Sequence, residues 1–326
     1  MHKIPAFYHP TTLTLVDDDM DFLISLSLAL GNHFRCHTFT SPDEAEQFLR
    51  SIYPQQLVDD TSYFSIAERA YAELPVDVQI NAIYRQVFNQ QRFDKHYLLI
   101  VDHDMPNRNG LELARTLKAI LPIKIILLTG EADRETAINA FNAKEIDRFL
   151  LKSDPDYRHK LIRHVHELQR DYFIEQSIGI LKSLASQEVH PLQEPAFIEL
   201  FESCCAEHHC VEYYLLDESC SFLFLDEQGH ETWLILRSAL DMQSYYELAE
   251  DEEPAVSDDI LRSLKDCSKL VFFKQGTEGI PPVDEWLFIE AKPLAGTDMY
   301  YGFLHGKQGY AQPENIYSYS EFLNND

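Results

Sequence analysis

Tyr97-Leu-Leu-Ile-Val-Asp-His-Asp-Met-Pro-Asn-Arg-Asn-Gly110 sets the architecture of this chain. Five aromatic or apolar residues run straight into an acid at Asp102. So short and so apolar a run suits a strand covered on both faces, as in a parallel sheet. Asp102 then stands at the carboxyl end of that strand, where open α/β sheets carry their sites. Pro106 and Gly110 stop the strand and stiffen the loop that follows.

The flanks extend the pattern in both directions. Thr12-Leu-Thr-Leu-Val16 alternates and is β-rich, so it reads as a first strand. It ends in Asp17-Asp18-Asp19. Three adjacent acids repel one another, and they are tolerated beside a cation or as caps of the helix that opens at Asp19. Phe34-Arg-Cys-His-Thr-Phe39 reads as a second strand. Ser41-Pro-Asp-Glu then supplies a cap, a proline at the first helical position and acids in the first turn. Beyond Asp102, residues 111–120 and 135–143 are helical in pattern. Between them Lys124-Ile-Ile-Leu-Leu-Thr129 is a buried strand ending in a hydroxyl, and Arg148-Phe-Leu-Leu-Lys152 is a fifth strand ending in a cation. Alternating strands and helices predict a doubly wound α/β domain.

In such a sheet the strand ends share one rim. Acids, a further acid, a hydroxyl and an ammonium therefore converge there. Asp17, Asp18 and Asp102 offer hard oxygen ligands suited to Mg²⁺. A cation would screen Asp102 from an incoming phosphoryl group, so that its carboxylate could attack phosphorus. Lys152 would pair with a phosphoryl oxygen as a point charge. Thr129 would donate a hydrogen bond to another and move toward it.

Residues 9–170 resemble the receiver domain of two-component response regulators. The likeness rests on Val16-Asp17-Asp18, on Val101-Asp102-His-Asp-Met-Pro with Gly110, on Leu128-Thr129-Gly, and on Phe149-Leu-Leu-Lys152. It implies a flavodoxin-like fold with Asp102 as phosphoacceptor. Asp17 and Asp18 match the metal-binding acids, and the main-chain carbonyl of Asp104 would complete the Mg²⁺ shell. Thr129 and Lys152 match the switch hydroxyl and the active-site lysine, and Phe149 the switch aromatic. The resemblance also implies a histidine kinase or phosphotransfer protein as donor and a homodimer on phosphorylation. Two features depart from the family. Ser153 stands where the family carries proline, which removes the residue that favours a cis peptide there. An insertion occupies 51–96. The combination weakly resembles regulators of α-hydroxyketone quorum-sensing systems.

The insertion contains two helical stretches, 64–74 and 76–91, parted by Pro75. They predict a helical hairpin on the edge of the receiver, either a decoration or a docking or dimer surface. Persistent apolar positions (Ile80, Ile83, Tyr84, Val87) favour the surface. A long helix follows the receiver, with Leu161, Val165, Leu168 and Tyr172 at spacings of three and four. It links residues 1–155 to an output domain at 188–326, the helix itself taking 156–187. In the output domain, three strands (211–216, 221–225 and 232–237) joined by two hairpin-like turns precede helices at 239–249 and 258–267, and three strands follow. That order predicts an antiparallel sheet with segregated helices, an α+β domain. It loosely resembles a PAS-like sensor domain. Cys204, Cys205, His208, His209 and Cys210 crowd into seven residues. They read either as a metal site, with Cys220 and His230 as further candidate ligands, or as ordinary thiols; zinc usually wants a second separated ligand pair, so thiols are favoured.

Composition narrows the function classes. The 326-residue chain carries a net charge of −27. Residues 1–170 hold 19 Lys+Arg against 24 Asp+Glu, and residues 171–326 hold 8 against 30. An output half that negative repels phosphate backbones and argues against nucleic-acid binding. No apolar run reaches the length of a membrane span, about 20 residues. The N-terminus has no signal-like apolar core. Six cysteines in so long a chain do not suggest a disulfide framework, which points to a cytoplasmic protein. Two other readings compete: a scaffold or ligand-binding protein on a silent receiver fold, and an Asp-nucleophile phosphatase of the haloacid-dehalogenase kind. Asp104 sits two residues beyond Asp102 as the phosphatase would need, but the following Met-Pro and the lysine-ended strand fit a receiver better.

Overall fold

The computed structural model describes residues 4–60, 80–184, 191–251, 256–275, 277, 280–310 and 315–325. Among them the chain forms two compact units. One takes residues 9–60, 91–176 and 321–325; the other takes 4–8, 80–90 and the described parts of 177–320.

The first unit is built on five parallel strands: β1 (Leu13–Val16), β2 (Cys36–Phe39), β3 (Leu98–Asp102), β4 (Lys124–Thr129) and β5 (Arg148–Leu151). Their order is β2-β1-β3-β4-β5. This is the flavodoxin-like doubly wound order, with the direction of winding reversing between β1 and β3. Helices α1 (Met20–Leu30), α2 (Pro42–Asp60), α3 (Gly110–Lys118), α4 (Arg134–Asn142) and α5 (Tyr157–Leu184) connect or follow the strands. The strand residues alternate between two cores. Leu99, Val101, Ile125 and Leu127 pack with Leu111, Ala114, Leu117 and Ala137 from α3 and α4. Leu98, Ile100, Ile126 and Leu128 pack with Leu23 and Leu26 of α1 and Leu161 and Val165 of α5. Both faces are covered, which is why these strands are continuously apolar rather than alternating. Residues 321–325 also belong here. The Arg35 guanidinium lies 3.9 Å over the Phe322 ring and donates to the carbonyls of Phe322 and Asn325.

The second unit holds β6 (Cys210–Leu215), β7 (Phe222–Asp226), β8 (Glu231–Ser238), β9 (Lys269–Phe272), β10 (Leu287–Glu290) and β11 (Met299–His305). A six-stranded sheet runs Phe7–Tyr8, β6, β7, β8, β11, Lys292–Pro293, and every neighbouring pair is antiparallel. β9 and β10 form a separate antiparallel ribbon. Helices α6 (Pro195–Glu207), α7 (Ala239–Glu250) and α8 (Asp258–Lys265) complete the α+β region. Nothing in this sheet order adds to the PAS-like likeness. Arg237 of β8 is buried and fully engaged: its guanidinium donates to Asp217 Oδ2 at 2.9 Å, Ser221 Oγ at 3.0 Å and the Val271 carbonyl at 3.1 Å.

Three arrangements differ from the linear reading. The helix α2 runs on to Asp60, past the expected start of the insertion. The stretch 64–74 and residues 76–79 lie outside the described residues; of the second expected helix, Ile80–Tyr84 is α-helical and Arg85–Phe88 is a 3₁₀ turn. Residues 80–90 belong to the antiparallel unit, not the edge of the receiver, with Ile80–Tyr84 packed on β6. Ile83, Tyr84 and Val87 are buried, and that burial fixes the placement. Finally, Phe7 and Tyr8 pair with Tyr214 and Tyr213 as an edge strand. No described helix is long and apolar enough to cross a membrane.

Candidate functional site

The site lies on the carboxyl rim of the parallel sheet. β1 delivers Asp17 and Asp18, β3 delivers Asp102, β4 ends on Thr129 and β5 runs into Lys152. Carboxylate oxygens of Asp17, Asp18 and Asp102 lie within 4.8 Å of one another. Asp17 and Asp102 are buried and Asp18 is exposed. This all-oxygen donor set, open on one side, fits a hard divalent cation such as Mg²⁺. It is the one cluster of three or more potential metal ligands found among the described residues.

Lys152 Nζ bridges two of the acids, 2.7 Å from Asp102 Oδ1 and 2.8 Å from Asp17 Oδ2. The same ammonium sits 4.3 Å from the centre of the Phe22 ring on α1, a contact with no sequence signal. Each acid also accepts from the loop beyond it: Asp19 N–H donates to Asp17 Oδ1 at 2.9 Å, and Asp104 N–H to Asp102 Oδ2 at 3.1 Å. Burial pushes the Asp17 carboxyl above the ordinary aspartate value, against the pull of Lys152. Burial also opposes the Lys152 charge, but its bonds to Asp102 and Asp17 outweigh that and hold its pKa above the usual lysine value.

Local sequence explains the loop shapes. Asp19 caps α1, accepting from Asp21 N–H at 2.9 Å and Phe22 N–H at 3.1 Å, so the acid triplet is used for capping and for the rim at once. Asn107 takes a positive φ of 67° in the turn after Pro106. Asn109 caps α3 through Glu112 N–H. Gly110 is required by contact: a Cβ there would stand 1.9 Å from the Asp102 carbonyl oxygen.

Thr129 is fully buried, one residue past the Asp102↔Leu128 pairing, and its carbonyl accepts from Lys152 N–H at 2.9 Å. Its hydroxyl donates to the Gly130 carbonyl at 3.3 Å. Phe149 pairs in register with Leu127 and is half-buried, its ring 6.4 Å from that of Phe141 on α4. Asp104 is exposed on the loop after β3. His103 was not foreseen. Its Nε2 lies 3.6 Å from Asp133 Oδ1, spanning the loops after β3 and β4.

The family model for the response regulator receiver domain matches residues 57–163. No curated protein matches the chain. Among solved structures, the response regulator LqsR of Legionella pneumophila is 31% identical; the match covers 98% of this chain and 95% of that one, at a TM-score of 0.74. The chain belongs to the response regulators. A response regulator receiver domain protein from Clostridium thermocellum matches 51% of it at 18% identity, covering 95% of that chain with a TM-score of 0.32. A CheY-like receiver domain protein from Methanospirillum hungatei matches 51% at 18% identity, covering 98% of that chain with a TM-score of 0.33. The matched segment of this response regulator holds Asp102, Thr129 and Lys152 but starts after Asp17 and Asp18. In the folded receiver β1 lies beside β3, and the two acids rejoin the rim.

Proposed function

We propose that this response regulator accepts a phosphoryl group on Asp102 from a histidine kinase or phosphotransfer protein, in two-component signalling of the quorum-sensing type. The observation that carries the proposal is the 2.7 Å contact between Lys152 Nζ and Asp102 Oδ1 inside a three-carboxylate rim. A carboxylate oxygen of Asp102 attacks phosphorus; the bond from phosphorus to the donor nitrogen breaks, and the donor imidazole keeps the electron pair. Asp17, Asp18, Asp102 and the Asp104 carbonyl would hold Mg²⁺, which when bound supplies positive charge that lowers the repulsion between carboxylate and phosphoryl group. Lys152 exchanges one carboxylate contact for a phosphoryl oxygen. Thr129 releases the Gly130 carbonyl and donates to a second phosphoryl oxygen, drawing the loop after β4 inward. Phe149, half-buried beside α4, follows that movement, and the α4–β5–α5 face changes its partners. The acidic output region passes the change on through protein contacts and dimerisation. The chain acts as a cytoplasmic signalling protein, not as an enzyme with turnover.

Incubation with Mg²⁺ and a small acyl or amido phosphate tests the reading. The wild type gains one phosphoryl group by intact mass, and Asp102→Asn gains none. Equal labelling of both proteins, or none of either, would falsify it.

A further inference from the structure

We infer that Phe22 is a positioning residue for phosphoryl transfer, its ring face holding the Lys152 ammonium beside Asp102. The inference rests on the reading of Asp102 as phosphoacceptor and gives a role to a side chain which that reading leaves idle. The ring is placed by the acids before it. Asp19 N–H donates to Asp17 Oδ1 at 2.9 Å, and Asp19 Oδ1 in turn accepts from Phe22 N–H at 3.1 Å. The triplet that supplies the rim therefore also fixes the first turn of α1. The Phe22 ring is half-buried and packs against the core that holds Leu23, Leu26, Leu161 and Val165.

Lys152 is held at both ends. Its main-chain N–H donates to the Thr129 carbonyl at 2.9 Å. Its Nζ lies 2.7 Å from Asp102 Oδ1, 2.8 Å from Asp17 Oδ2 and 4.3 Å from the centre of the Phe22 ring. An ammonium has three N–H donors and no acceptor, and the two carboxylates account for two of them. The electron-rich ring face takes up the charge on a further side.

The ring differs from the two acids in what competes for it. Asp17 and Asp102 also offer their oxygens to a divalent cation, and one Asp102 oxygen is used up when it bonds to phosphorus. Neither event engages the ring, which has no oxygen ligand for a hard cation and makes no bond to phosphorus. Phe22 is therefore the contact that stays constant while the ammonium exchanges Asp102 for a phosphoryl oxygen. A free lysine stem samples many rotamers, and holding its tip beforehand removes part of that entropy from the transfer step. A leucine would fill the same space without the electron-rich face. A carboxylate or hydroxyl would compete with the phosphoryl oxygen for the same N–H groups.

In the full chain, Phe22 is replaced in turn by 4-fluoro-, 3,5-difluoro- and 3,4,5-trifluorophenylalanine. These keep the shape of the ring and withdraw electron density from its face step by step. Each protein is incubated with Mg²⁺ and a small amido phosphate, and the rate of labelling is followed by intact mass. The rate should fall with each added fluorine, to about fivefold below wild type, while the urea midpoint stays where it was. Phe22→Leu should lose about as much, and Phe22→Tyr, which keeps the face, should recover it. A second measurement needs no phosphoryl donor. In a chain carrying [¹³Cε]lysine, the ring current should move the Lys152 ε-methylene protons upfield of those of exposed lysines, the signal being assigned by its loss in Lys152→Met; Phe22→Leu should abolish the displacement. A labelling rate indifferent to fluorine, a rate that falls only together with the urea midpoint, or an ordinary Lys152 resonance overturns the inference and leaves Asp102 as phosphoacceptor. A wild type that takes up no phosphoryl group overturns the phosphoacceptor reading and the role of Phe22 together.

Discussion

At the scale of single residues, Gly110 and Lys152 make the strictest demands. A methyl group at Gly110 meets the Asp102 carbonyl oxygen at 1.9 Å and Val101 Cγ2 at 2.8 Å. One of these contacts is backbone, so it yields only if β3 moves. Gly110→Ala should lower stability by about 3 kcal/mol, measured by urea unfolding, and should displace Asp102 enough to slow phosphoryl uptake. Lys152→Met keeps the stem and removes the ammonium. Asp17 and Asp102 then face each other without their cation. A fully buried partner would leave a deficit of about 3–5 kcal/mol, but Lys152 is 30% exposed, so about 1–2 kcal/mol is expected. Excess Mg²⁺ should restore most of that loss in a thermal melt, because the cation occupies the same carboxylates. A variant that melts like the wild type without Mg²⁺ would remove Lys152 from the electrostatic balance. The five side chains at the strand ends were legible in the sequence because each follows a short apolar run. Phe22 and His103 were not, since neither their type nor their spacing marks them; each is placed by the packing of a neighbouring element.

At the scale of elements, strands and helices of the receiver follow local chemistry closely. Residues 12–16 read as a strand, and Leu13–Val16 is one; Ser41-Pro42 reads as a helix start, and α2 begins at Pro42. Asp19 shows how one acid run serves two purposes. Its side chain accepts two N–H groups at the start of α1, and Asp19→Ala should cost about 1 kcal/mol of stability in urea unfolding, without abolishing phosphoryl transfer. Loss of phosphoryl uptake in that variant would assign Asp19 to the site as well. The end of α2 was less legible. Its apolar positions run on beyond residue 50, and no glycine or clear cap stops it before Asp60. Pro54 lies within it, a residue that would ordinarily end a helix.

For the whole molecule, two buried histidine rings of the receiver unit, His9 and His96, contribute to its acid response. His9 is buried against Phe93 and Phe173 and donates from Nδ1 to the Pro10 carbonyl. Burial holds its pKa well below the usual histidine value. Burial likewise lowers His96, to about 3. Above about pH 6.5 both rings are neutral folded or unfolded, and stability is flat. Below that value the unfolded chain takes up protons that the folded chain refuses, so stability is lost as pH falls. Each ring contributes up to about 1.4 kcal/mol per pH unit. Urea midpoints should therefore fall between pH 7 and 5, and His96→Gln should reduce the slope by one ring's share. An unchanged slope would mean that the ring is protonated within the fold. On the same scale, phosphorylation should raise the solution mass from monomer toward dimer in light scattering; a mass unchanged by complete labelling would separate dimerisation from the switch.

By itself, the sequence determined the parallel receiver, its rim chemistry and the α+β character of the acidic half. Those features are written in short-range code: apolar runs, caps, turns and the polar residue at each strand end. Tertiary structure alone decided which distant stretches complete each unit. Phe7 and Tyr8 pair with Tyr214 and Tyr213, Ile80–Tyr84 packs on β6, and Phe322 lies under Arg35. Phe7–Tyr8 and Phe322 are too short to carry periodicity, and the helical spacing of Ile80, Ile83, Tyr84 and Val87 does not say which unit they pack on. They are placed by burying apolar and aromatic surface against partners far away in the chain, and that energy exists only once both partners have folded.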